Sequence, residues 1–282
     1  MSEPAAPQPK PFHLSPVDLE RTTQLIYRLT GMIFGENKRY YIERRIADRM
    51  EKSNAPDMRT YLALAAAGPE AERLINAFTV NETYFYREEH QLAALSNTIL
   101  PEVVKRSRPG DLIRIWSMPC STGEEPYSIA IWLLENWPLV DAYNIEIVGS
   151  DIDTKAVAAA RAGYFNQRSL AKLPDRVREA YFEPEHCHRR KLIDDLRESV
   201  RFTTANLVDT ASVVAQGKFD VVLCRNLLIY FDDASRAIAA KNLYACLNPG
   251  GFLCLGHSES MARITERFTL ARLDDAIVYR RP

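Results

Sequence analysis

Polar and apolar positions along this chain follow two different rhythms. From Ser15 to Phe78, apolar residues recur every three or four positions, the period of amphipathic helices. Ser15-Pro16 followed by Asp18 and Glu20 reads as an N-cap, a first-turn proline and early acids, with Gly31 as the stop after Thr30. A second helix is expected from Lys38 to Lys52, where Ile42, Ile46 and Met50 form an apolar stripe. Two more cover 58–67 and 70–78, and no strand pattern occurs before residue 110. Beyond it the rhythm shortens. Leu112, Ile113, Ile115 and Trp116, interrupted only by Arg114, read as a strand buried on both faces. Further strands are expected at 144–150, 200–204, 219–224 and 251–255. Helices at 129–137, 154–162 and 234–247 alternate with them, the pattern of a mainly parallel sheet. Residues 268–280 read as an antiparallel hairpin closing a sheet edge. The charged, glycine-free stretch from Leu173 to Ser199 breaks the alternation and reads as an excursion from the main sheet.

The expected organisation is therefore a doubly wound α/β unit over 86–282, with an inserted subdomain at about 173–199. A small all-helical domain precedes it over 15–85, behind a Pro- and Ala-rich tail over 1–14. That tail has no apolar h-region and reads as disordered rather than as a signal peptide.

Composition narrows the possibilities. A net charge of −1 lacks the basic footprint of wholesale nucleic-acid binding, and no apolar run reaches the ~20 residues that span a bilayer. Five cysteines, odd in number and widely spaced, argue against a disulfide framework and for a reducing compartment. His186-Cys187-His188 is not read as a metal site, because adjacent side chains rarely converge on one ion and no second ligand pair is in view. One local departure from neutrality stands out. Between Lys38 and Lys52, six basic residues face three acids, and Lys38, Arg45, Arg49 and Lys52 share one helical stripe. Such a stripe is usually a solvated, salt-bridged face; its clustering also suits the steering of an acidic protein surface.

The candidate chemistry lies at the strand ends. The strand from Leu112 runs through small residues (Ser117, Cys120, Ser121, Thr122, Gly123) into Glu124, Glu125 and a helix, as at the first ligand crevice of a doubly wound sheet. Two carboxylates there disfavour a phosphate, and the P-loop lysine is missing. A ligand with an ammonium group and an unphosphorylated ribose fits better, and S-adenosylmethionine is the commonest such molecule. The two acids also simply suit the positive end of a helix dipole. Asp151-Ile152-Asp153 stands at the tip of the second strand, where an acid holds ribose hydroxyls. Asp153 reads equally as a helix N-cap, leaving Asp151 to face the ligand. Arg225, Asn226 and Tyr230 follow the strand at 219–224, and Asn81, Thr83 and Arg87 lie in a polar–aromatic segment that reads as a ligand contact or as a domain junction.

Taken in order, Asn81–Arg87, Ser121–Ser128, Ser150–Asp153, Asn206-Leu207 and Cys224–Phe231 resemble the blocks of the CheR-type chemoreceptor glutamate O-methyltransferases. The resemblance spans nearly the whole chain, with Ser-Thr-Gly-Glu-Glu-Pro-Tyr standing where other methyltransferases carry Gly-x-Gly. It implies a Rossmann-like methyltransferase fold with a small inserted β-subdomain. It further implies transfer of a methyl group from S-adenosylmethionine, leaving S-adenosylhomocysteine, to glutamate γ-carboxylates on the cytoplasmic helical bundle of chemoreceptors. By resemblance, Asn81, Thr83, Arg87, Glu125, Asp151, Asn206, Leu207, Arg225 and Asn226 line the cofactor. Arg87 and Tyr230 lie nearest the methyl, and Lys38, Arg45, Arg49 and Lys52 dock the receptor. Members that bind a receptor C-terminal pentapeptide carry a glycine-containing loop in the subdomain. Glu183 to Ser199 is shorter and glycine-free, so tethering is not expected.

The chemistry is consistent with what the chain offers. A glutamate, with a reference pKa of about 4.3, is already ionised near neutrality, so no general base is required. Charge disappears as a carboxylate meets a sulfonium, so a water-excluding cleft helps, and alignment supplies ~7–11 kcal/mol. Two alternatives are a small-molecule methyltransferase, which leaves the basic stripe unexplained, and a non-catalytic cofactor-sensing scaffold. A nucleic-acid amino methyltransferase calls for Asn/Asp-Pro-Pro-aromatic, where this chain has Arg225-Asn226-Leu227-Leu228.

Overall fold

The computed structural model describes residues 12–274 and 276–282. Most of the expected N-terminal tail, residues 1–11, lies outside the described residues, and its last part is not a tail. Leu14 is buried, and its amide donates to Glu43 Oε1 at 3.0 Å. The chain divides into two compact units between Phe78 and Thr79.

Among the described residues the first unit contains four α-helices, α1 (Pro16–Thr30), α2 (Arg39–Ser53), α3 (Met58–Ala65) and α4 (Gly68–Phe78), with a 3-10 turn at Glu36–Lys38 leading into α2. The Ser15 side chain caps α1 by accepting from the Asp18 amide at 3.1 Å, and Asp57 caps α3 in the same way. Helix α2 buries Ile42 and Ile46, as its stripe predicts, against a core of Leu25, Ile26, Tyr61, Leu74 and Phe78. Each such aliphatic side chain contributes roughly 1.5–3 kcal/mol by leaving water.

The second unit is built on a seven-stranded sheet in the order β5-β2-β1-β6-β7-β9-β8. Its strands are β1 (Leu112–Ser117), β2 (Asn144–Asp151), β5 (Val200–Thr204), β6 (Phe219–Cys224), β7 (Leu247–Leu255), β8 (Thr269–Arg272) and β9 (Ile277–Arg280). The first five run parallel, and β8 and β9 form the expected antiparallel hairpin at one edge. Helices α7 (Glu124–Asn136), α8 (Thr154–Ala162), α12 (Thr210–Val214) and α13 (Asp233–Cys246) lie between successive strands. From β1 the chain winds to β2 and β5, then jumps across to β6 on the other side of β1. The β1/β6 boundary is thus the topological switch point, where the loops leaving two neighbouring strands diverge and open a crevice.

Three boundaries differ from the sequence reading. Residues 79–85, assigned above to the helical domain, belong to the sheet-bearing unit. The Phe85 amide donates to the Ser169 carbonyl at 2.9 Å, and its buried ring meets Phe165 and Phe182 edge-on. A run of α5 (Glu89–Ala94), a π-helical stretch (Leu95–Ile99) and α6 (Leu100–Val104) precedes β1, burying Leu92, Leu95, Ile99, Leu100 and Val103. The inserted subdomain begins before Leu173: its two-stranded sheet pairs β3 (Tyr164–Asn166) with β4 (Arg189–Lys191). The short helices α9 (Gln167–Leu170), α10 (Asp175–Tyr181) and α11 (Asp194–Ser199) complete it. A three-residue strand carries too few alternating positions to be legible by period. Among the described residues no helix is long and apolar enough to cross a membrane.

Candidate active site

The carboxyl ends of β1, β2, β5 and β6 bring four sequence blocks together. The turn after β1 depends on Gly123, whose φ of 98° is a left-handed conformation and where an added Cβ would lie 2.9 Å from Ala160 Cβ. That close approach sets α7 against α8 and holds Glu124 and Glu125 in the first turn of α7.

Asp151, at the tip of β2, is buried and accepts from the Ser121 amide at 2.8 Å and the Asp153 amide at 2.9 Å. Burial pushes its carboxyl up to about 6, against the lowering effect of these donors. The structure also decides the role of Asp153. Its Oδ1 accepts from the Lys155 and Ala156 amides, capping α8, while Oδ2 accepts from Thr79 Oγ1 at 2.6 Å and Asn81 Nδ2 at 2.8 Å. Asp153 therefore anchors the 79–87 segment to the sheet, and Asp151 is the acid at the strand tip.

Across the switch point, Arg225 emerges from β6 nearly fully buried. It donates through Nη1 to Glu125 Oε2 at 2.8 Å and through Nη2 to the Arg87 carbonyl at 2.7 Å, and it lies 3.3 Å from Glu88 Oε2. Glu125 also accepts from Ser117 Oγ at 2.8 Å. Burial raises Glu125, opposed by Arg225, whereas Glu88 is lowered because Arg225 and His257 outweigh its burial. One guanidinium thus ties together α7, the β6 end, the Arg87 backbone and the Glu88 side chain.

Thr83, Arg87, Ser121, Glu125, Arg225 and Asn226 line one cleft at this point. The Arg87 guanidinium donates to the Glu82 carbonyl at 2.9 Å and sits 5.8 Å from the centroid of the Tyr84 ring. Tyr230, on the 3-10 turn Leu228–Tyr230, is partly buried. Burial raises its phenol, and the nearby Arg87 charge works the other way.

The structure refines several sequence expectations. Asn81 lies on a second cavity shared with Tyr164, Asn166 and Arg168, and donates to Asp153. The Leu207 side chain is buried; its carbonyl accepts from Asn242 Nδ2 at 2.8 Å. Asn206 Oδ1 accepts from the Val208 amide at 3.1 Å, shaping the turn after β5 beside the Asp151 backbone. Arg225 and Glu125 do line the cleft, but their hydrogen bonds go to each other and to neighbouring protein groups. The sequence reading named Ser121 only as a small loop residue, and it missed Glu88, which lies against Arg225, and Glu259, which accepts from the Asn226 amide. Gly256 was the available signal for Glu259, a glycine at a strand's end that marks close backbone approach.

On α2, the basic stripe divides. Arg49 is buried and pairs with Glu70 through two bonds, Nε at 3.0 Å and Nη2 at 2.7 Å, so it is a structural ion pair and not a docking residue. Its position, one turn beyond buried Ile46 and facing α4, explains the change. Arg45 stacks on Tyr41, 3.5 Å from the ring centroid, and bonds the Ala77 carbonyl. Lys38, Arg44 and Lys52 are exposed, the last paired with Asp48 at 2.7 Å.

The cleft suits an S-adenosyl group. The acid at the β2 tip, bonded to the Ser121 amide at the cleft's edge, matches ribose hydroxyls, and the acid-bearing loop after β1, with Thr83 and Asn226, matches the amino-acid end. Comparison with known proteins agrees. Residues 17–79 match the family model of the CheR methyltransferase all-alpha domain, and residues 81–277 match that of the CheR methyltransferase SAM binding domain. The chain is 47% identical to chemotaxis protein methyltransferase 2 of Vibrio cholerae, over 95% of this chain and 94% of that one. It is 33% identical to a chemotaxis protein methyltransferase of Vibrio parahaemolyticus, over 89% and 91% of the two chains. It is 36% identical to a probable chemotaxis protein methyltransferase of Rhizobium etli, over 84% and 90%. With both family domains matched in order and the cofactor crevice at the switch point, this chain belongs to the CheR family of S-adenosylmethionine-dependent methyltransferases.

Proposed function

We propose that this enzyme methylates the γ-carboxylate of specific glutamates on the cytoplasmic helical bundle of chemoreceptors, acting in the cytoplasm. The observation that carries the reading is the meeting of Arg87 and Asn226 in one cleft at the switch point, with Tyr230 near enough to Arg87 to feel its charge. Arg225 ties the anchored 79–88 segment, which brings Arg87, to Glu125 on α7. S-adenosylmethionine supplies, when bound, a methyl group on a positively charged sulfur.

The chain's own residues do the rest. Asp151 holds the ribose hydroxyls, while Asn226, Thr83 and Glu125 fix the amino-acid end. Arg87 orients the incoming carboxylate, and the Tyr230 hydroxyl lies beside the transferring methyl. The Tyr230 phenol is neutral at neutral pH, and burial raises it further, so it adds no charge that would compete with the ion pair being consumed. A glutamate nucleophile arrives ionised, so positioning and exclusion of water suffice.

Docking is assigned to the exposed cations Lys38, Arg44 and Lys52 of the α2 region, with Arg45 held against Tyr41 at their side. The acidic receptor bundle is their complement. Pentapeptide tethering is not part of this reading. The subdomain closes between Glu183 and Arg189 in a tight turn, with His186 bridged to Arg189 and both Cys187 and His188 left-handed, leaving no extended loop.

The test is methyl transfer from labelled S-adenosylmethionine to purified receptor cytoplasmic fragments. Base-labile label on the receptor, at equal rates with and without its C-terminal tail, is expected. Label appearing only on small molecules, or none despite cofactor binding, would overturn the reading.

A further inference from the structure

The loop that follows β6 has an unusual conformation and an unusual clamp. Asn226 occupies left-handed backbone space, with φ 59°, although it is not a glycine. Such a conformation persists only where surrounding structure holds it. Two residues later the chain enters the 3-10 turn that carries Tyr230. A single side chain from a different loop grips this stretch. Glu259, beyond β7, accepts from the Asn226 amide at 2.7 Å and from the Gly256 amide at 2.9 Å, both through Oε2, and from the Leu228 amide at 2.7 Å through Oε1.

The fit leaves no slack. A Cβ added at Gly256 would lie 2.8 Å from Glu259 Oε2 and 3.0 Å from the Asn226 amide nitrogen, so glycine is what lets the carboxylate reach the loop. The Glu259 amide also donates to the Gly256 carbonyl at 2.9 Å, closing the acid's own turn. No regular sheet pairing covers the three amides involved, because Asn226 and Leu228 lie beyond the end of β6 and Gly256 beyond the end of β7.

We infer that Glu259 is a positioning residue for methyl transfer: its carboxylate holds the Asn226–Tyr230 loop in the one conformation that presents both side chains to the cleft. The inference rests on the roles given above to Asn226 and Tyr230. Both Glu259 carboxylate oxygens are taken up by backbone amides of the loop and of Gly256. Glu259 acts through three backbone amides, and a carboxylate serves where an amide would not, because three donors converge on two oxygens.

The experiment compares the full-length wild type with Glu259→Gln and, independently, Gly256→Ala. The glutamine keeps size but turns an NH2 group toward donors. The alanine leaves Glu259 intact and wedges it away from the loop. Three quantities are read: amide hydrogen exchange at 225–231 against exchange in β6 and β7, S-adenosylhomocysteine affinity by calorimetry, and kcat and KM on a receptor fragment. Both variants should lose protection at 226–230 while the strands keep theirs. Cofactor affinity should fall about tenfold and kcat about 100-fold, the scale of an ångström-sized misplacement, with KM for the receptor unchanged. Wild-type exchange at 226–230 in both variants, or wild-type kcat despite an opened loop, would overturn the inference. Loss of protection across the strands as well would also overturn it, making Glu259 a general stability residue. Failure of the underlying active-site reading shows separately, as Asn226→Ala and Tyr230→Phe leaving affinity and turnover unchanged while Glu259→Gln still opens the loop.

Discussion

At the residue scale, the acids in and behind the cleft are shifted in different directions, Glu88 down and Glu125 and Asp151 up. Burial raises Glu125, and it pushes Asp151 up to about 6. Ribose hydroxyls donate better to its charged form, so S-adenosylhomocysteine affinity should be level from pH 8 to near 6. Below that it should decline, approaching tenfold per pH unit. Calorimetry across pH 5–8 checks this, and Asp151→Asn should bind more weakly with that dependence removed. The same elevated value has a consequence for the cofactor-free fold. The unfolded chain releases this proton near its ordinary value of about 3.9, before the folded chain does. The group's penalty on folding is therefore absent below about 4, grows as pH rises, and is complete above about 6. Tyr230 gives a different test. With the ring kept and the hydroxyl removed, Tyr230→Phe should lower kcat by at least tenfold while cofactor affinity stays within about twofold. Equal loss of both in methyl-transfer and calorimetric assays would remove its assigned place beside the methyl.

At the scale of elements, α2 shows where period reading reaches its limit. Its apolar stripe was legible and Ile42 and Ile46 are buried as expected. The adjoining basic stripe was not one surface, because a stripe edge at 100° per residue does not say which cation meets a partner on another helix. Glu70 on α4 decides it for Arg49. Removing one member of a buried, doubly bonded ion pair should be costly. Arg49→Ala is predicted to destabilise the helical unit by about 3–5 kcal/mol in denaturant unfolding, with Arg49→Met/Glu70→Leu recovering most of it. Charge reversal at exposed Lys38 and Lys52 should do the opposite: little change in stability, and a KM for receptor fragments raised several-fold that converges with wild type at high salt. The strands and long helices of the sheet unit were legible because each is long enough to show its period. The three-residue β3 was not, and the 79–85 segment was assigned to the wrong unit because polar–aromatic composition carries no period at all.

For the molecule as a whole, the order of elements conveyed more than any single motif. Alternating strands and helices implied a parallel sheet, and the loops after the strands at 112–116 and 219–224 flank its switch point, as their chemistry suggested. What the linear chain could not convey was the wiring between those loops. Arg225 reaching Glu125 and the Arg87 carbonyl, Asp153 holding Thr79 and Asn81, and Glu259 gripping the Asn226 turn all join residues separated by tens to more than a hundred positions. These contacts explain why residues first read as cofactor ligands, Arg225 and Glu125 among them, are partly scaffolding: their charged side chains bond one another and neighbouring protein groups. The most direct test is crystallographic difference density for S-adenosylhomocysteine bound to the full chain. The account predicts the ribose at Asp151, the amino-acid end among Thr83, Glu125 and Asn226, and the sulfur facing Arg87 and Tyr230; density lying away from the β1/β6 crevice would contradict it.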